Sequence, residues 1–492
     1  MRSFNSIQGA LAVWISSYIF FLFTLVSNFS ASHDSIHYLN DIVNGRELFH
    51  QHHLLYHFLA SKWMSVFSQV PSHYAIESFT ALWGSSALAI VYLFFTNRFH
   101  LLPVAAAMGT AVIAFSYGFW FYSVNIEVYL PPLFFILSAL YVISAPEVKD
   151  STVPKMALLH SLAMLFHQVN VLFVAIGIYF ILCNRTKIKI STALLQYAFI
   201  GIVVAGGMYF IAGWVIEGHN SPMAWWHWME GYTVGHGYWQ GLSLKTPLHV
   251  LTGFSHAFVG GHFIFQLPGV EEYLQQAFSD HGLKDELFLS SKIKEWAAVL
   301  LTFLAGLLAT GILTVSVRFM KKYKLVLIGQ GAVVKPLLLT IGVYSAFFCF
   351  WMPEILEFWI LQMVLIWILL IGTLPLVRLP FKIPLRVFLG LLLVLTFSVN
   401  YFGSIRWLQD INNDWYYRET ENIKKYVSAN DLVIIDNNWI LKDFVRYYTK
   451  ASVLATDEPG YNQASEDAAV KAAKARHGKV FLYKDSRFIR SY

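Results

Sequence analysis

Charge is scarce in this sequence. Only 13% of its 492 residues are Asp, Glu, Lys or Arg, whereas 57% are hydrophobic, and the mean hydropathy is +0.54. Soluble domains carry about 25% charged residues, so one water-facing globule cannot accommodate this composition. The scarcity of charge excludes a soluble protein and predicts a chain that lies mostly in a lipid bilayer.

Cysteine is nearly absent as well. Cys183 and Cys349 both lie in apolar runs, where a thiol behaves as a small hydrophobic group. Two such residues provide neither a disulfide framework nor a cysteine-based metal site. The sequence after residue 405 also lacks a GxGxxG motif and a P-loop, so we assign this part of the chain no nucleotide chemistry.

Long apolar runs are abundant, and a membrane-spanning helix needs roughly 17 to 25 such residues. The first run follows MRSFNSIQG and is too long for a signal-peptide core, so we interpret it as a retained span. The fifth and sixth runs are short and are also compatible with one kinked hairpin. The predicted fold class is a polytopic α-helical membrane protein with about 11 spans, near 8–29, 76–96, 101–118, 129–145, 155–169, 171–183, 194–215, 295–317, 336–352, 357–377 and 384–404.

Basic residues indicate the orientation of the spans, because Lys and Arg collect in loops that stay in the cytoplasm. If the spans alternate, the basic loops share one side with the N-terminus. Retention in the cytoplasm explains the pI near 9.0 without a nucleic-acid partner. We therefore expect a multi-pass protein of the cell (inner) membrane. The basic residues are Arg2, Arg98, Lys149, Lys155, Arg185, Lys187, Lys189, Arg318, Lys321, Lys322, Lys324, Arg378, Lys382 and Arg386.

The opposite, extracytoplasmic side receives two long loops, 30–75 and 216–294, short turns at 119–128 and 352–358, and everything after 405. Loop 216–294 carries aromatic rings of the kind that favour the lipid headgroup layer, which indicates either an interfacial anchor or a lid that contacts sugar or lipid. These aromatic residues are Trp225, Trp226, Trp228, Tyr232, Tyr238 and Trp239.

The C-terminal segment has a different character from the rest of the chain. Short apolar stretches, DLVIID, SVLAT and KVFLY, alternate with helical stretches, a pattern typical of a small α/β unit. We therefore divide the chain into a transmembrane domain, 1–404, and a small soluble extracytoplasmic α/β domain, 405–492.

Polar residues follow the first span directly, in SASHDSIHYLNDIVNGRELFHQHHLLYHFL at 31–60. Asp34, His37 and Asp41 are spaced i, i+3 and i+7, so they share one face of a predicted helix. A carboxylate this close to hydrocarbon loses hydration, which suggests a use. The alternative is that Ser32 or Asp34 only caps the helix. His and Asp at this spacing can also converge on a divalent metal ion, although the pattern does not specify one.

Further polar residues lie on the same predicted side. His50, His53 and His57 follow the same i, i+3, i+7 spacing, and we interpret them as a polar face beside lipid phosphates in preference to a metal site. Glu127 ends a very short loop between two spans. His167 interrupts a pair of apolar helices, and polar groups at such depth usually face a cavity; a structural hydrogen bond is the alternative.

Three short motifs resemble a known family. They are Asp34 in the first external loop, YSVNIEVY at the start of the fourth span, and LAMLFHQVNVLF in the paired short helices. Together they resemble the GT-C superfamily of integral membrane glycosyltransferases, nearest the dolichyl-phosphate-mannose protein mannosyltransferase-like branch, over roughly residues 8–404. The resemblance implies that Asp34 is the catalytic base or a metal-proximal carboxylate. Many members carry an adjacent Asp-Glu pair there, whereas this chain has Asp34 followed by Ser35.

The resemblance implies transfer of a sugar from a polyprenyl-phosphate donor to the hydroxyl of a glycan, lipid or protein acceptor. Asp34 would act as general base, and Glu127 would orient the acceptor or an ion. His37, Asp41, His53 and His167 would bind substrate. A cation would stabilise the leaving phosphate, and the external candidates are Arg46, Lys245, Lys292, Lys294 and Arg406.

Two other classes of function stay open. A secondary transporter also places ionisable residues in the membrane, although here the acidic residues gather at one surface and not at the midplane. A non-catalytic assembly subunit would use the C-terminal domain to hold a partner. The sequence specifies neither the sugar nor the acceptor, and the one cofactor that its pattern allows is a divalent metal ion.

Overall fold

The chain is mostly helical, with one small sheet near the C-terminus. A computed structural model describes residues 2–231, 238–277, 284–377, 383–458, 460–484 and 487–491. Two of the basic residues used to orient the spans, Arg378 and Lys382, lie outside the described residues. So does Tyr232 of the aromatic loop.

The N-terminal part of the helical region runs from the first apolar run to the fourth. Proline starts two of its helices, with Pro103 and Pro131 in the first turn, where no backbone donor is needed. Two helices meet at a bend of 77° near Ser116. The helices are α1 (Arg2–Phe23), α2 (Asp34–Asn44), α3 (Tyr56–Val66), α4 (Ser72–Leu93), α5 (Pro103–Ala114), α6 (Tyr117–Ser123) and α7 (Leu130–Ile143).

The second part of the helical region includes the segment 216–294, which contains four α-helices in its described residues. These helices are α8 (Thr152–Phe166), α9 (Val174–Cys183), α10 (Ile190–Gly201), α11 (Gly207–Phe210), α12 (Pro222–Glu230), α13 (Thr246–Phe258), α14 (Val270–Ala277), α15 (Lys284–Ser290), α16 (Glu295–Phe348), α17 (Ile360–Val377), α18 (Leu385–Asn400) and α19 (Arg406–Leu408).

Fewer helices reach the length of a span than the sequence predicts. In the described residues, 6 helices are long and apolar enough to cross a membrane, or 7 if the bent pair α5 and α6 forms one span. Shorter apolar helices cover Leu130–Ile143, Thr152–Phe166 and Gln168–Cys183. The structure therefore shows a multi-helical membrane protein, whereas the count of about 11 spans stays a prediction.

Two predicted loops are helical. The basic segment 318–335 is mostly helical, and within α16 two helices join across a kink at Gln330, where φ is −138°. Lys, Arg, Leu and Val all tolerate helical geometry, so charge alone does not end a helix there. The turn predicted at 119–128 is also partly wrong, because α6 extends to Ser123.

The C-terminal part forms a four-stranded sheet with strand order β2-β1-β3-β4. Strand β1 (Leu432–Ile435) pairs in parallel with β2 (Ser452–Ala455) and β3 (Val480–Lys484), and β4 (Arg487–Ser491) is antiparallel to β3. Parallel neighbours need helical crossovers, which α21 (Trp439–Tyr448) and α22 (Gln463–Ala475) supply after α20 (Trp415–Lys424). The three predicted strands are present, and β4 was not predicted.

This C-terminal unit packs directly on the helix that follows the first span. Helix α21 contacts α2, and the Asn40 side-chain amide donates a hydrogen bond to the Asp443 carbonyl at 2.9 Å. Ile440 and Phe444 of α21 belong to the same buried hydrophobic cluster as Ile36 of α2. The contact places residues of the C-terminal unit beside the candidate site.

Candidate functional site

Asp34 is the first residue of α2. The N-cap position belongs to His33, which has a positive φ of 64° and makes no side-chain capping hydrogen bond. The capping role considered for Ser32 or Asp34 is therefore wrong for this helix. The half-buried carboxylate of Asp34 instead accepts a hydrogen bond from the Tyr38 hydroxyl at 3.3 Å.

The start of α2 is fixed by contacts from distant parts of the chain. The Ser35 hydroxyl donates to the carbonyl of Ile126 at 3.0 Å, which ties α2 to the loop before α7. Asp414, which caps α20, accepts hydrogen bonds from the amides of Phe29 at 3.0 Å and Ser30 at 3.1 Å. Backbone contacts on both sides hold Asp34 in a defined place.

Two further carboxyl groups lie near Asp34. Glu127 is fully buried, and neither of its carboxyl oxygens has a hydrogen-bond partner among the described residues. Glu357, just before α17, accepts hydrogen bonds from Tyr122 at 2.9 Å and Tyr129 at 2.5 Å. The charges of Asp34, Glu127 and Glu357 interact with one another, so three separate elements bring three acids together.

Histidine and tyrosine rings connect the two ends of this acidic group. The Tyr38 hydroxyl, which donates to Asp34, also lies 3.2 Å from His53 Nε2. The centre of the His53 ring is 5.4 Å from that of His167, which in turn lies 5.1 Å from the Tyr129 ring. The structure thus brings His53 and His167 to the site and leaves their roles as predictions.

The spacing predicted that the histidines of 50–57 share one helix, but in the structure they do not. Helix α3 begins only at Tyr56, because the preceding residues form turns. The rings of His50 and His53 nevertheless stack at 4.5 Å. His53 and His57 are 3% and 0% exposed, and burial lowers the pKa of His57 to about 4. Rings buried inside the protein cannot form a polar face beside lipid phosphates, so that interpretation is wrong for His53 and His57.

His37 and Asp41 form a second polar cluster one turn beyond Asp34. His37 Nε2 lies 3.4 Å from Asp41 Oδ2, and His37 Nδ1 lies 3.1 Å from Asp443 Oδ2 of the C-terminal unit. Ligand atoms of His37, Asp41 and Glu47 come within 4.8 Å of one another. The third residue of this possible metal site is therefore Glu47, whereas the sequence pattern predicted Asp34.

This cluster could hold a divalent cation only with a neutral imidazole, since protonation removes the lone pair that binds metal. Burial lowers the pKa of His37, but the hydrogen bond to Asp443 and the nearby carboxylates outweigh burial and raise that pKa to about 9. Protonated His37 therefore neutralises Asp41 and Asp443 at neutral pH. An ion pair explains this cluster without a metal ion.

Burial controls the acidity of the catalytic candidates. It raises the pKa of Asp34, and the charge of His37 and the Tyr38 hydrogen bond oppose that rise. Burial, reinforced by the charges of Glu357 and Asp34, holds the pKa of Glu127 well above its ordinary range. Asp34 is thus a stronger base than a surface aspartate, and burial favours the neutral form of Glu127.

The aromatic external segment reaches the site at one residue. The charge of Asp34 acts on Tyr238, and the next residue, Trp239, forms a backbone bridge with Trp351. The Gln240 side-chain amide donates to Glu354 at 3.0 Å. These contacts join the end of the aromatic stretch to Trp351 and Glu354, and the interfacial anchor and the lid both stay predictions.

In the described residues, no salt bridge joins Asp34 to any of the five cations proposed for the leaving phosphate. Lys292 lies over the ring of Phe288 and Arg406 over the ring of Trp407. Lys245 and Lys294 precede the first turns of α13 and α16, and Arg46 follows the end of α2. His37 is the cation whose charge acts on Asp34 in the described residues.

Four residues of this site were not proposed from sequence: Glu357, Tyr38, Tyr129 and Asp443. Glu357 carried a usable signal, because MPEILEF places an acid on the same predicted side, immediately before an apolar run. Tyr38 lies one helical turn after Asp34, a spacing that allows contact. Nothing in the sequence indicates that Asp443 approaches a residue 406 positions earlier.

Comparisons with known proteins identify similar structures. No family model matches the chain, and no curated protein does. ArnT from Cupriavidus metallidurans bound to undecaprenyl phosphate is similar at 11% identity and a TM-score of 0.45, over 98% of this chain and 93% of that chain. The Archaeoglobus fulgidus oligosaccharyltransferase in complex with Zn and sulfate gives 12% identity and a TM-score of 0.47, over 98% of this chain and 68% of that chain.

A third match is more local. It is the S. cerevisiae protein O-mannosyltransferase Pmt1-Pmt2 complex bound to the sugar donor, at 15% identity and a TM-score of 0.33. The match covers 42% of this chain and 32% of the yeast chain. All three have identities under 25% and TM-scores under 0.5, so the resemblance of the short motifs to the GT-C superfamily stays a prediction. Such low identities and TM-scores transfer neither an activity nor a substrate to this chain.

Proposed function

We propose that this chain is a membrane glycosyltransferase that moves a sugar from a polyprenyl-phosphate donor to an acceptor hydroxyl on the extracytoplasmic side. One observation carries the proposal: Asp34, Glu127 and Glu357 lie in three separate elements that hydrogen bonds join, from Ser35 to Ile126 and from Tyr129 to Glu357. These elements lie beside apolar helices long enough to cross a membrane. A carrier lipid has a tail that must remain in the bilayer and a sugar that must reach water. A site at the end of membrane helices serves both parts.

Asp34 is the general base in this proposal. Its side chain is half-buried and therefore still partly exposed, so an acceptor hydroxyl can approach it. A hydroxyl is a weak nucleophile, and removal of its proton during attack on the anomeric carbon contributes roughly 10² to 10⁴ in rate. Because burial raises the pKa of Asp34, the carboxylate holds that proton better than an exposed aspartate would.

The other two carboxyl groups differ in hydrogen bonding and therefore in role. Glu357 receives two tyrosine hydroxyls, from Tyr122 and Tyr129, which stabilise its charged form. In its ionised form, Glu357 favours the positive charge that develops on a sugar ring as its bond to phosphate breaks. In its protonated form, which burial favours, Glu127 can donate a hydrogen bond to the acceptor or to the sugar.

The chemistry balances as a single displacement. The acceptor oxygen forms a bond to the anomeric carbon, Asp34 takes the proton of that oxygen, and the bond from the anomeric carbon to the phosphate oxygen breaks. The polyprenyl phosphate leaves with the electron pair of that bond. One displacement at this carbon inverts its configuration.

The test is transfer by the purified full-length protein, supplied with a panel of radiolabelled polyprenyl-phosphate sugars, with and without a chelator. We expect one donor to label an acceptor, and Asp34→Asn to lower the rate at least about a hundredfold without loss of donor binding. Asp467→Asn is the matched control, since Asp467 is exposed on α22. Full transfer by Asp34→Asn would contradict the assignment of the base, and uptake of a solute coupled to an ion would favour the transporter.

A further inference from the structure

A cavity of about 540 Å³ lies far along the chain from the candidate site, between α16 and the end of α17. Three cations line it, Arg318, Lys321 and Lys322, and no carboxylate does among the described residues. These residues belong to the basic segment that orients the spans, so the cavity opens on the side predicted to be cytoplasmic.

Helical spacing explains why four of these residues line the cavity together. Thr310, Thr314, Arg318 and Lys322 succeed one another at intervals of four residues on α16, so they form one stripe along the helix. The stripe changes from hydroxyl groups to cations over 12 residues, which spans about 18 Å at 1.5 Å per residue. The cavity is thus amphipathic along its length.

Apolar side chains share the cavity with the cations. Leu313 and Val317 are 64% and 43% exposed, and Val377 at the end of α17 completes the lining. They belong to helices that are long and apolar enough to cross a membrane. A ligand that fills this space needs both an anionic group and a hydrocarbon part.

We propose that this cavity binds the headgroup of an anionic phospholipid from the leaflet on the Lys- and Arg-rich side. The phosphate lies among Arg318, Lys321 and Lys322, and the upper part of an acyl chain follows Leu313 and Val317. Basic pockets between membrane helices on the cytoplasmic side bind anionic headgroups in this way. The site is independent of sugar transfer, because it lies on the side of the membrane opposite to the one predicted for Asp34.

Charge complementarity decides between this occupant and its alternatives. Lys321 and Lys322 are exposed and form no salt bridge with any described residue, so they are available to an external anion. Free phosphate would use the cations and leave the apolar half of the cavity unfilled. A zwitterionic lipid would fill the apolar half, but its own cation would oppose the three basic residues.

The experiment measures retention of dansyl-labelled phosphatidylglycerol and phosphatidylcholine by the full-length protein in detergent. Each cation near a membrane surface contributes about 1 kcal/mol, or about fivefold in affinity. The double variant Lys321→Gln, Lys322→Gln should therefore bind phosphatidylglycerol at least about tenfold more weakly, with phosphatidylcholine unchanged. Inorganic phosphate at equal concentration should not displace the bound lipid.

The control variant removes the same charge elsewhere. Lys187 and Lys189 are exposed on the same predicted side and do not line the cavity, so Lys187→Gln, Lys189→Gln should retain phosphatidylglycerol like the parent. Equal loss in both double variants would overturn the site in favour of general surface charge. Displacement by inorganic phosphate would overturn the lipid as occupant. If the cavity variant fails to elute as a folded protein, Lys321→Gln alone gives the same test.

Discussion

His37 Nδ1 lies 3.1 Å from Asp443 Oδ2, and this contact joins the helix that begins at Asp34 to the C-terminal unit. Asp443 is nearly fully buried, whereas the His37 side chain is 42% exposed. Asp443 also lies 3.6 Å from Arg446, so its negative charge faces two basic residues, His37 and Arg446. The pair makes the position of α2, and with it that of Asp34, depend on a residue near the end of the chain.

The His37 pair predicts a loss of stability in alkali. The folded protein raises the pKa of His37 from 6.5 to about 9, so the pair stabilises fully below pH 6.5 and its contribution disappears as the pH rises through about 9. A charge-assisted hydrogen bond contributes about 1.5–3 kcal/mol, and exposure of His37 favours the lower figure. Thermal unfolding between pH 6 and pH 10 measures this loss.

His37→Gln should flatten that pH dependence, because glutamine keeps a donor for Asp443 but does not titrate. The control is His227→Gln on α12, since His227 is 67% exposed and pairs with Glu230 in its own helix. A divalent cation held by His37, Asp41 and Glu47 would give the reverse result. Stability would then rise with pH, and a chelator would lower it.

Tyr38→Phe should move the acid limb of the rate profile to higher pH. The Tyr38 hydroxyl donates to Asp34 and lowers its pKa against the effect of burial, so its removal leaves the carboxylate harder to ionise. Transfer measured from pH 4 to pH 9 gives the shift. Tyr426→Phe, at an exposed tyrosine, is the control, and an unmoved acid limb would show that Asp34 does not set it.

Glu357→Gln should lower kcat by about 10² with little change in KM, the scale seen when one preorganised electrostatic group is removed. Glutamine fills the same space, but Tyr122 and Tyr129 donate to different oxygens of Glu357, so glutamine loses the negative charge and one of the two hydrogen bonds. Steady-state kinetics with the labelled donor separates the two constants. A raised KM with unchanged kcat would instead assign Glu357 to substrate binding.

Glu127→Gln should be nearly silent in both transfer and stability. Burial holds the pKa of Glu127 well above its ordinary range and so favours its neutral form, whose shape and hydrogen-bond donor glutamine reproduces. Activity and thermal unfolding of the variant should match the parent. A hundredfold loss of transfer would show that Glu127 works as an anion, as an ion ligand would.

Reporter fusions test the topology. An enzyme active only outside the cytoplasm should be silent when fused after Lys322 and active when fused at the C-terminus, because the basic segment is predicted to stay inside. A reporter active only in the cytoplasm should give the opposite pair. Equal signals at both positions would contradict the assignment of sides.

The sequence by itself determined that the protein is a membrane protein and which stretch to examine. Low charge and long apolar runs admit no soluble fold, and those runs coincide with the helices. Asp34 and His37 could be paired from sequence because helical spacing is a local property. Strands β1, β2 and β3 could also be predicted from local sequence, since each is a short apolar stretch between helical segments.

Tertiary structure alone decided which residues meet. Glu357 joins Asp34 and Glu127, and Asp443 joins His37, because helices far apart in the sequence pack side by side, a relationship that no local pattern encodes. Tertiary structure also decided which side chains are buried. The same packing placed His53 and His57 away from lipid and shifted the pKa of Asp34 and His37, since the cost of charge depends on the surroundings that the whole fold supplies.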